Sequence, residues 1–299
     1  MSALVETENL RKRFRRTPVL NGVTLSIDEG SVFGLVGPNG AGKTTTVKVL
    51  MNILTPSSGH ARMLGTDSRS LAAPQFQEIG YVSENQQMPD WMTVRYFMDY
   101  LEPFYPRWDR DRAAALLRQF ELPLDRKLGQ LSRGMRMKAA LASSLAYHPR
   151  LLVLDEPFSG LDPLVRDEFI EGLIESAEET TMLISSHDLS EIESFATHIG
   201  FLDQGQLRFS ESLPALSERF REIEVTVDHG VPPTAGLPDH WLKVEVAGSV
   251  VRFVDSRYDA ERSMAEARQL FGPGARIAAS AMSLRAIFIT LARQSRKAA

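Results

Sequence analysis

The chain has 299 residues, of which 43% are hydrophobic, and its formal net charge is −4. This size allows one large domain or a large and a small one, and the slightly acidic balance argues against general electrostatic attachment to nucleic acid. The chain contains no cysteine, so disulfides and thiolate zinc sites are excluded. We expect no signal peptide and no membrane span, because no apolar run reaches the roughly 18 residues that a span needs.

The first residues predict antiparallel strands at Leu4–Glu6 and Val19–Ile27. Phe14 lies between them, within a basic cluster that runs from Arg11 to Arg16. An aromatic ring there can stack on a nucleotide base, with guanidinium groups nearby for phosphates. The alternative is a solvated basic hairpin tip with one half-buried ring.

A glycine-rich segment follows a short apolar run, Val32–Val36, which has the composition of a buried parallel strand. Its glycines let successive backbone N–H groups wrap a polyphosphate, and the positive end of the following helix faces the same anion. In this spacing Lys43 can reach the β- and γ-phosphates, and the Thr44 hydroxyl can ligate Mg²⁺. The segment therefore predicts a nucleoside triphosphate site. The residues of the segment are Gly37, Pro38, Asn39, Gly40, Ala41, Gly42, Lys43, Thr44 and Thr45.

The middle of the chain predicts a strand at Ile79–Val82 and then helices without intervening strands, over residues 88–148. Polar residues 83–87 follow the strand, at a position where open α/β sheets bind ligands, although a plain loop is equally compatible. The many aromatics of residues 91–108 are compatible with a partner-binding groove, and ordinary packing accounts better for most of them. Predicted helices are Asp109–Leu122 and Ser132–Tyr147. The second begins with a Ser N-cap and a nearby Gly, which implies a second anion site, although many helices begin with Ser.

Two carboxylates, Asp155 and Glu156, end the next apolar strand, which begins at Leu151. Acids at the end of a core strand are costly unless they have partners or chemistry. Asp155 can help to hold Mg²⁺, and Glu156 can orient and deprotonate an attacking water. After a further strand at Thr181–Ser185, His187 can hydrogen-bond a γ-phosphate or that water.

The pattern changes after Ser210, which places a domain boundary between residues 1–210 and 211–299. The second segment carries no recognisable chemistry, and its pattern predicts a small α/β domain. Its predicted elements are strands Glu222–Asp228, Trp241–Val246, Val250–Val254 and Arg276–Ser280, helices Asp259–Phe271 and Leu284–Arg293, and a loop at Pro232-Pro233.

The set of motifs, in this order, resembles the nucleotide-binding subunit of an ABC transporter. The resemblance covers residues 1 to about 210 and implies an α/β P-loop NTPase (RecA-like) core with an antiparallel β subdomain and an inserted helical subdomain at about 88–148. Its motifs are the Walker A loop above, the LSGGQ-like segment Leu131–Met135, the Walker B strand Leu151–Asp155, Glu156, the D-loop Ser159–Asp162 and the switch His187.

The resemblance implies roles that the residues alone leave open. Phe14 matches the aromatic that stacks on adenine, and Ser132 and Gly134 match signature residues that contact the γ-phosphate bound to an opposite subunit. Glu84 stands where the family usually has the Q-loop glutamine, which couples the metal and the water to the transport channel. An ionised carboxylate cannot donate a hydrogen bond, so different metal and water contacts are expected, with Gln86 as a weaker substitute.

Two further signature positions, Arg133 and Met135, replace the usual Gly and Gln, but the trans phosphate contact is expected to survive because Ser132 and Gly134 are retained. The full set of predicted site residues comprises Lys43, Glu156 and His187 for catalysis, Phe14 and the Walker A loop for ATP, Ser132, Arg133, Gly134 and Met135 for the trans contact, Ser159 and Asp162 in the D-loop, and Thr44, Asp155 and Glu84 for the metal.

The resemblance therefore implies an ATP- and Mg²⁺-dependent hydrolase that works as a homodimer or heterodimer. It is expected to lie peripherally on the cytoplasmic face of a membrane, with its aromatic groove on a coupling helix of a separate transmembrane permease, and to bind no nucleic acid. Export is the favoured direction, because similar signature variants occur in antibiotic-efflux and resistance ATPases. The alternatives are a soluble ABC-type ATPase outside transport and a nucleotide-sensing regulatory subunit.

Overall fold

The computed structural model describes residues 3–176, 180–227 and 236–297. The chain divides into two compact units, Met1–Ser210 and Glu211–Ala299. The predicted Pro232-Pro233 loop and the predicted strand end at Asp228 lie outside the described residues.

The first unit contains both strands and helices, and its last strand ends at Ser212, two residues past the unit boundary. In chain order they are β1 (Ala3–Phe14), β2 (Thr17–Asp28), β3 (Val32–Val36), α1 (Lys43–Leu50), β4 (Ser58–Met63), β5 (Thr66–Asp67), α2 (Ala73–Phe76), β6 (Ile79–Ser83), α3 (Val94–Leu101), α4 (Arg110–Gln119), α5 (Arg133–Leu145), β7 (Leu151–Asp155), α6 (Pro163–Ser176), β8 (Thr181–Ser186), β9 (His198–Asp203) and β10 (Gln206–Ser212).

The main sheet has six strands in the order β10-β9-β3-β8-β7-β6, and β3 lies parallel to both β8 and β9. Every residue of β3, β7 and β8 is buried. Such uninterrupted burial is typical of parallel strands that are covered on both faces, and it explains their continuous apolar runs. The predicted buried parallel strands are confirmed.

The strand register brings distant parts of the chain to one edge of this sheet. Val36 pairs with Ser186, Asp155 with Ser185, and Ser83 with Asp155. Because all four strands run in the same direction, the segments that follow β3, β6, β7 and β8 leave the sheet side by side. The glycine loop, Glu84, Glu156 and His187 lie in those segments.

A second sheet, in the order β2-β1-β4-β5, is antiparallel. Its first strand runs from Ala3 to Phe14, so the predicted Leu4–Glu6 strand was too short. The first three basic residues of the predicted turn are paired instead, with Arg11 opposite Asn21, and only Arg15 and Arg16 form the turn. Pairing with a neighbouring strand outweighs the weak strand propensity of a basic run.

The predicted helical region contains α3, α4 and α5 and no strand among its described residues. Ser132 is the N-cap of α5, as predicted, and accepts from a backbone N–H group. Asp109 is the N-cap of α4 and not its first residue, and α4 ends at Gln119, before the predicted Leu122. Helix α5 ends at Leu145, earlier than predicted, and is followed by His148 in a left-handed conformation (φ 50°). The proline after His148 cannot extend the helix.

The second unit is built around an antiparallel sheet in the order β12-β13-β11-β14. The Trp241 ring stacks on Phe253 with centroids 4.0 Å apart, and Phe271 lies 5.9 Å away. One helix, α7, was not predicted, although the Ser212 cap and the following proline mark its start. The elements are α7 (Leu213–Arg219), β11 (Arg221–Thr226), β12 (Trp241–Ala247), β13 (Val250–Asp255), α8 (Ala260–Phe271), β14 (Arg276–Ala281) and α9 (Leu284–Lys297).

Candidate nucleotide site

The glycine loop connects β3 to α1 and borders a cavity of about 480 Å³. Gly42 caps the helix with φ 110°, a conformation that costs glycine little. A Cβ atom at Gly37 would lie 2.0 Å from the Leu202 carbonyl oxygen, so the loop fits tightly against the strand beside it. The cavity is lined by Val19, Asn39, Gly40, Gly42, Lys43, Thr44, Thr45, Glu84, Glu156, Ser159 and His187.

Glu156 lies between two basic side chains in this cavity. Its Oε1 is 3.0 Å from Lys43 Nζ, and its Oε2 is 2.7 Å from His187 Nδ1. Lys43 is 4% exposed and also donates to the Gly37 carbonyl at 2.7 Å. The hydrogen bond to Glu156 raises the pKa of the His187 imidazole. The three residues predicted for catalysis therefore form one connected group.

The backbone at Glu156 is strained. Its φ of 52° is in the left-handed region, which costs a non-glycine residue about 1–2 kcal/mol. The Glu156 N–H donates to the Ser185 hydroxyl at 3.0 Å, and this bond helps to hold the turn. The strained turn directs the carboxylate toward Lys43.

Asp155 is buried at the end of β7, and burial raises the pKa of its carboxyl group. Two hydroxyl groups partly offset that cost: Thr44 donates to Oδ1 at 3.0 Å and Ser185 at 2.7 Å. Ser185 was predicted only as part of a strand. No local sequence pattern indicates that its hydroxyl supports both acids.

These oxygen atoms fit a magnesium ion. Mg²⁺ prefers hard oxygen ligands, and the Thr44 hydroxyl and the Asp155 carboxylate adjoin each other beside a phosphate-sized cavity. A carboxylate that is largely removed from water is also stabilised by a nearby cation. The donor set is therefore chemically suited to the metal that the sequence predicts.

The structure places two of the predicted nucleotide contacts away from this cavity. Phe14 is 44% exposed at the end of β1, with the Lys12 ammonium 5.1 Å from its ring centroid. Ser132 is exposed, and its hydroxyl accepts from the Met135 N–H at 3.2 Å. Neither residue lines the 480 Å³ cavity of its own chain.

The remaining signature and D-loop residues lie where α5 meets α6. Gly134 is buried, and a Cβ atom there would lie 2.6 Å from Val165 Cγ1, so glycine permits the close approach of the two helices. Asp162 caps α6 through a bond from the Val165 N–H at 3.1 Å. Ser159 lines the cavity.

Glu84, which was predicted to contact the metal, lines the cavity, and its carboxylate contacts Arg133. Arg133 Nη2 donates to Glu84 Oε1 at 2.6 Å. The two residues are separate departures from the family pattern in the sequence, and neither motif predicts their contact.

Known proteins resemble this chain in sequence and in fold. The family profile described as "ABC transporter" matches residues 20–159. The ABC transporter ATP-binding protein YtrB of Bacillus subtilis is 32% identical over 230 residues, which cover 76% of this chain and 78% of that protein. The bacitracin transport ATP-binding protein BcrA of Enterococcus faecalis is 30% identical over 278 residues, which cover 91% of this chain and 89% of that protein.

The chain belongs to the ABC transporter ATP-binding family. It is accordingly an ABC-type ATPase whose nucleotide is ATP, and Mg²⁺ is typical of the family. The dimeric structure of MJ0796, a bacterial ABC transporter cassette, has the same fold, with a TM-score of 0.63 at 24% identity over 70% of this chain and 98% of that one. In the described part of this ABC protein, no helix is both long and apolar enough to cross a membrane.

Proposed function

We propose that this ABC ATPase powers export through a separate transmembrane permease, and that ATP closes a dimer of two such subunits around two nucleotides. The observation that carries the proposal is the Lys43–Glu156–His187 group beside the glycine loop. A carboxylate between an ammonium and an imidazole is equipped both to orient a water and to accept its proton.

In the proposed reaction, water attacks the γ-phosphorus in line and its proton passes to a Glu156 oxygen. The bond between the γ-phosphorus and the β,γ-bridging oxygen breaks, and ADP and phosphate form. Lys43 binds the β- and γ-phosphates and so exchanges Glu156 for an oxygen of the substrate. The His187 imidazole holds the Glu156 carboxylate in place. Thr44 and Asp155 are the proposed protein ligands of Mg²⁺, which neutralises phosphate charge when bound.

The dimer is supported by the position of the signature serine. Ser132 is exposed and lies outside the phosphate cavity of its own chain. At the N-terminus of α5, which has 13 residues, its surroundings favour an anion. A second subunit would supply that anion as its bound ATP.

For the outward direction we weigh the length of the matches: the match to the bacitracin transport protein extends over 91% of this chain, and the match to a sulfate/thiosulfate import protein extends over 70%. The signature variants Arg133 and Met135 point the same way by resemblance. The partner permease and the peripheral position on the cytoplasmic face follow from the same family argument.

The proposal is tested by mixing two inactive variants, Lys43→Ala and Ser132→Ala. In a mixed dimer, one site combines both mutations and the other combines an intact Lys43 with an intact Ser132. We expect each variant alone to hydrolyse little ATP and the mixture to regain a substantial fraction of wild-type turnover. Turnover of the mixture equal to the average of its parts would refute the shared site.

The permease is tested separately by purifying the tagged protein from native membranes in mild detergent. We expect a polytopic membrane protein to copurify in a fixed ratio, and to be lost in a high-salt wash that leaves the ATPase folded. A chain recovered only in the supernatant, with full turnover, favours an ABC-type ATPase outside transport.

A further inference from the structure

Glu84 and Arg133 form an ion pair that connects two functional segments of one chain. Arg133 Nη2 lies 2.6 Å from Glu84 Oε1, and the side chains are 47% and 29% exposed respectively. Glu84 follows β6, and its N–H donates to the Asp155 carbonyl at 3.0 Å. Arg133 is the first residue of α5, next to Ser132. The pair thus connects the end of the Walker B strand with the signature turn.

The pair also lies between two cavities. Glu84 lines the phosphate cavity of about 480 Å³ and a second cavity of about 200 Å³, and Arg133 lines only the second. The carboxylate therefore faces the expected position of a triphosphate while its charge is balanced from the opposite side. An unpaired carboxylate at that position would repel the phosphates.

Gly160 makes room for the guanidinium. A Cβ atom at Gly160 would lie 3.1 Å from Arg133 Cζ, and the φ of this glycine is 68°. Arg133 therefore contacts the D-loop as well as Glu84. This one side chain belongs to the signature turn, lies beside the D-loop and pairs with a residue in the wall of the phosphate cavity.

We propose that the Glu84–Arg133 ion pair is a positioning device for ATP hydrolysis, in which Glu84 acts through Arg133 and does not ligate the metal. Arg133 keeps the cavity wall electrically neutral, and Glu84 fixes the guanidinium between the signature turn and the D-loop. Occupancy of the phosphate cavity is thereby coupled to the turn that carries Ser132. This inference rests on the proposed function and adds to it the regulation of the same site.

The test is a double-mutant cycle with Arg133→Gln, Glu84→Gln and the double variant, measuring KM, kcat and the affinity for AMP-PNP with Mg²⁺. Arg133→Gln leaves the Glu84 charge unpaired, so we expect KM and the AMP-PNP Kd to rise roughly tenfold, and less so at high salt. Glu84→Gln should change the Kd by less than about threefold. The double variant should recover the affinity to within about threefold of wild type, because no unpaired carboxylate remains.

A matched control is Arg136→Gln, one turn further along α5. Arg136 forms an ion pair with Asp90 at 3.0 Å, and neither residue lines the phosphate cavity. We expect this variant to stay within about twofold of wild type.

Three results would overturn the proposal. One is a double variant whose loss is the product of the two single losses. Another is a Glu84→Gln variant that loses its magnesium-dependent affinity while Arg133→Gln keeps it, which would make Glu84 a metal ligand. The third is an equal loss in Arg136→Gln. AMP-PNP affinity can be measured without ATP hydrolysis. The result of the double-mutant cycle is therefore independent of the mixing experiment that tests the proposed function.

Discussion

Lys43 and Glu156 form a nearly buried ion pair, with Nζ and Oε1 3.0 Å apart and side chains 4% and 12% exposed. The ammonium expected to bind the triphosphate is thus paired with the carboxylate expected to activate water. An incoming γ-phosphate competes with Glu156 for the same cation. We therefore expect the γ-phosphate to replace Glu156 at Lys43, so that ATP binding and the release of the Glu156 carboxylate occur in the same step.

The first prediction concerns Glu156→Gln. Loss of the base should lower kcat by roughly 10²- to 10⁴-fold. Affinity for ATP should be retained or rise a few-fold, since a neutral amide competes less well for Lys43. Steady-state turnover and equilibrium ATP binding measure the two effects, and the retained ATP should trap the dimer during gel filtration. If the variant hydrolyses ATP at a rate close to that of the wild type, Glu156 is not the general base.

The second prediction concerns pH. The hydrogen bond to Glu156 raises the pKa of His187 above its unfolded value of about 6.5. The protonated form is therefore favoured by folding, and this contribution is fully present below pH of about 6.5 and is lost as pH rises through the raised pKa. His187→Gln should lower the free energy of unfolding more at pH 6 than at pH 9. Urea unfolding at both pH values measures the difference, and an equal loss at both would contradict it.

The third prediction compares two glycines of the phosphate loop. Gly37→Ala places a Cβ atom 2.0 Å from a backbone oxygen, so we expect a loss of roughly 3 kcal/mol in the free energy of unfolding. At Gly40 a Cβ atom meets nothing within 4 Å, and only the φ of 82° is unfavourable, which costs about 1–2 kcal/mol. Thermal or urea unfolding measures both variants. If Gly40→Ala lowers the free energy of unfolding more than Gly37→Ala does, the close contact at Gly37 does not determine the cost.

The fourth prediction concerns the core of the second unit. Trp241 is 5% exposed and stacks on Phe253, so Trp241→Ala should destabilise this unit by about 3–5 kcal/mol. Amide hydrogen exchange in β11 and β13 should speed up accordingly. The matched control is Trp91→Ala in the first unit, because Trp91 is 63% exposed and its loss should cost less than about 0.5 kcal/mol. Unchanged protection of β11 would contradict the assigned core.

Local sequence patterns predicted the elements that position the site. The apolar runs of β3 and β7 and the cap Ser132 are local signals, and the structure places two strands and a helix start there. The glycine spacing predicted a phosphate-binding loop, and six of its nine residues line the cavity of about 480 Å³. These signals were readable because each depends on neighbours within one turn or one strand.

Contacts between distant residues were not predictable in this way. Glu84 and Arg133 are 49 residues apart, and nothing in either segment indicates the other. The hydroxyl of Ser185 supports Asp155 from a neighbouring strand, and this support depends on sheet register. The length of β1 likewise depends on its pairing with β2, which outweighs the preference of its basic residues.

The register of the main sheet gives the catalytic group a property that a loop-built site would lack. Thr44 meets Asp155 across 111 residues of sequence, and His187 meets Glu156 across 31, only because β3, β7 and β8 are hydrogen-bonded neighbours. A fragment that lacks β8, the strand between β3 and β7, is not expected to bring these residues together. ATPase activity therefore requires the intact sheet. We expect activity to be lost at the same denaturant concentration at which the first unit unfolds cooperatively.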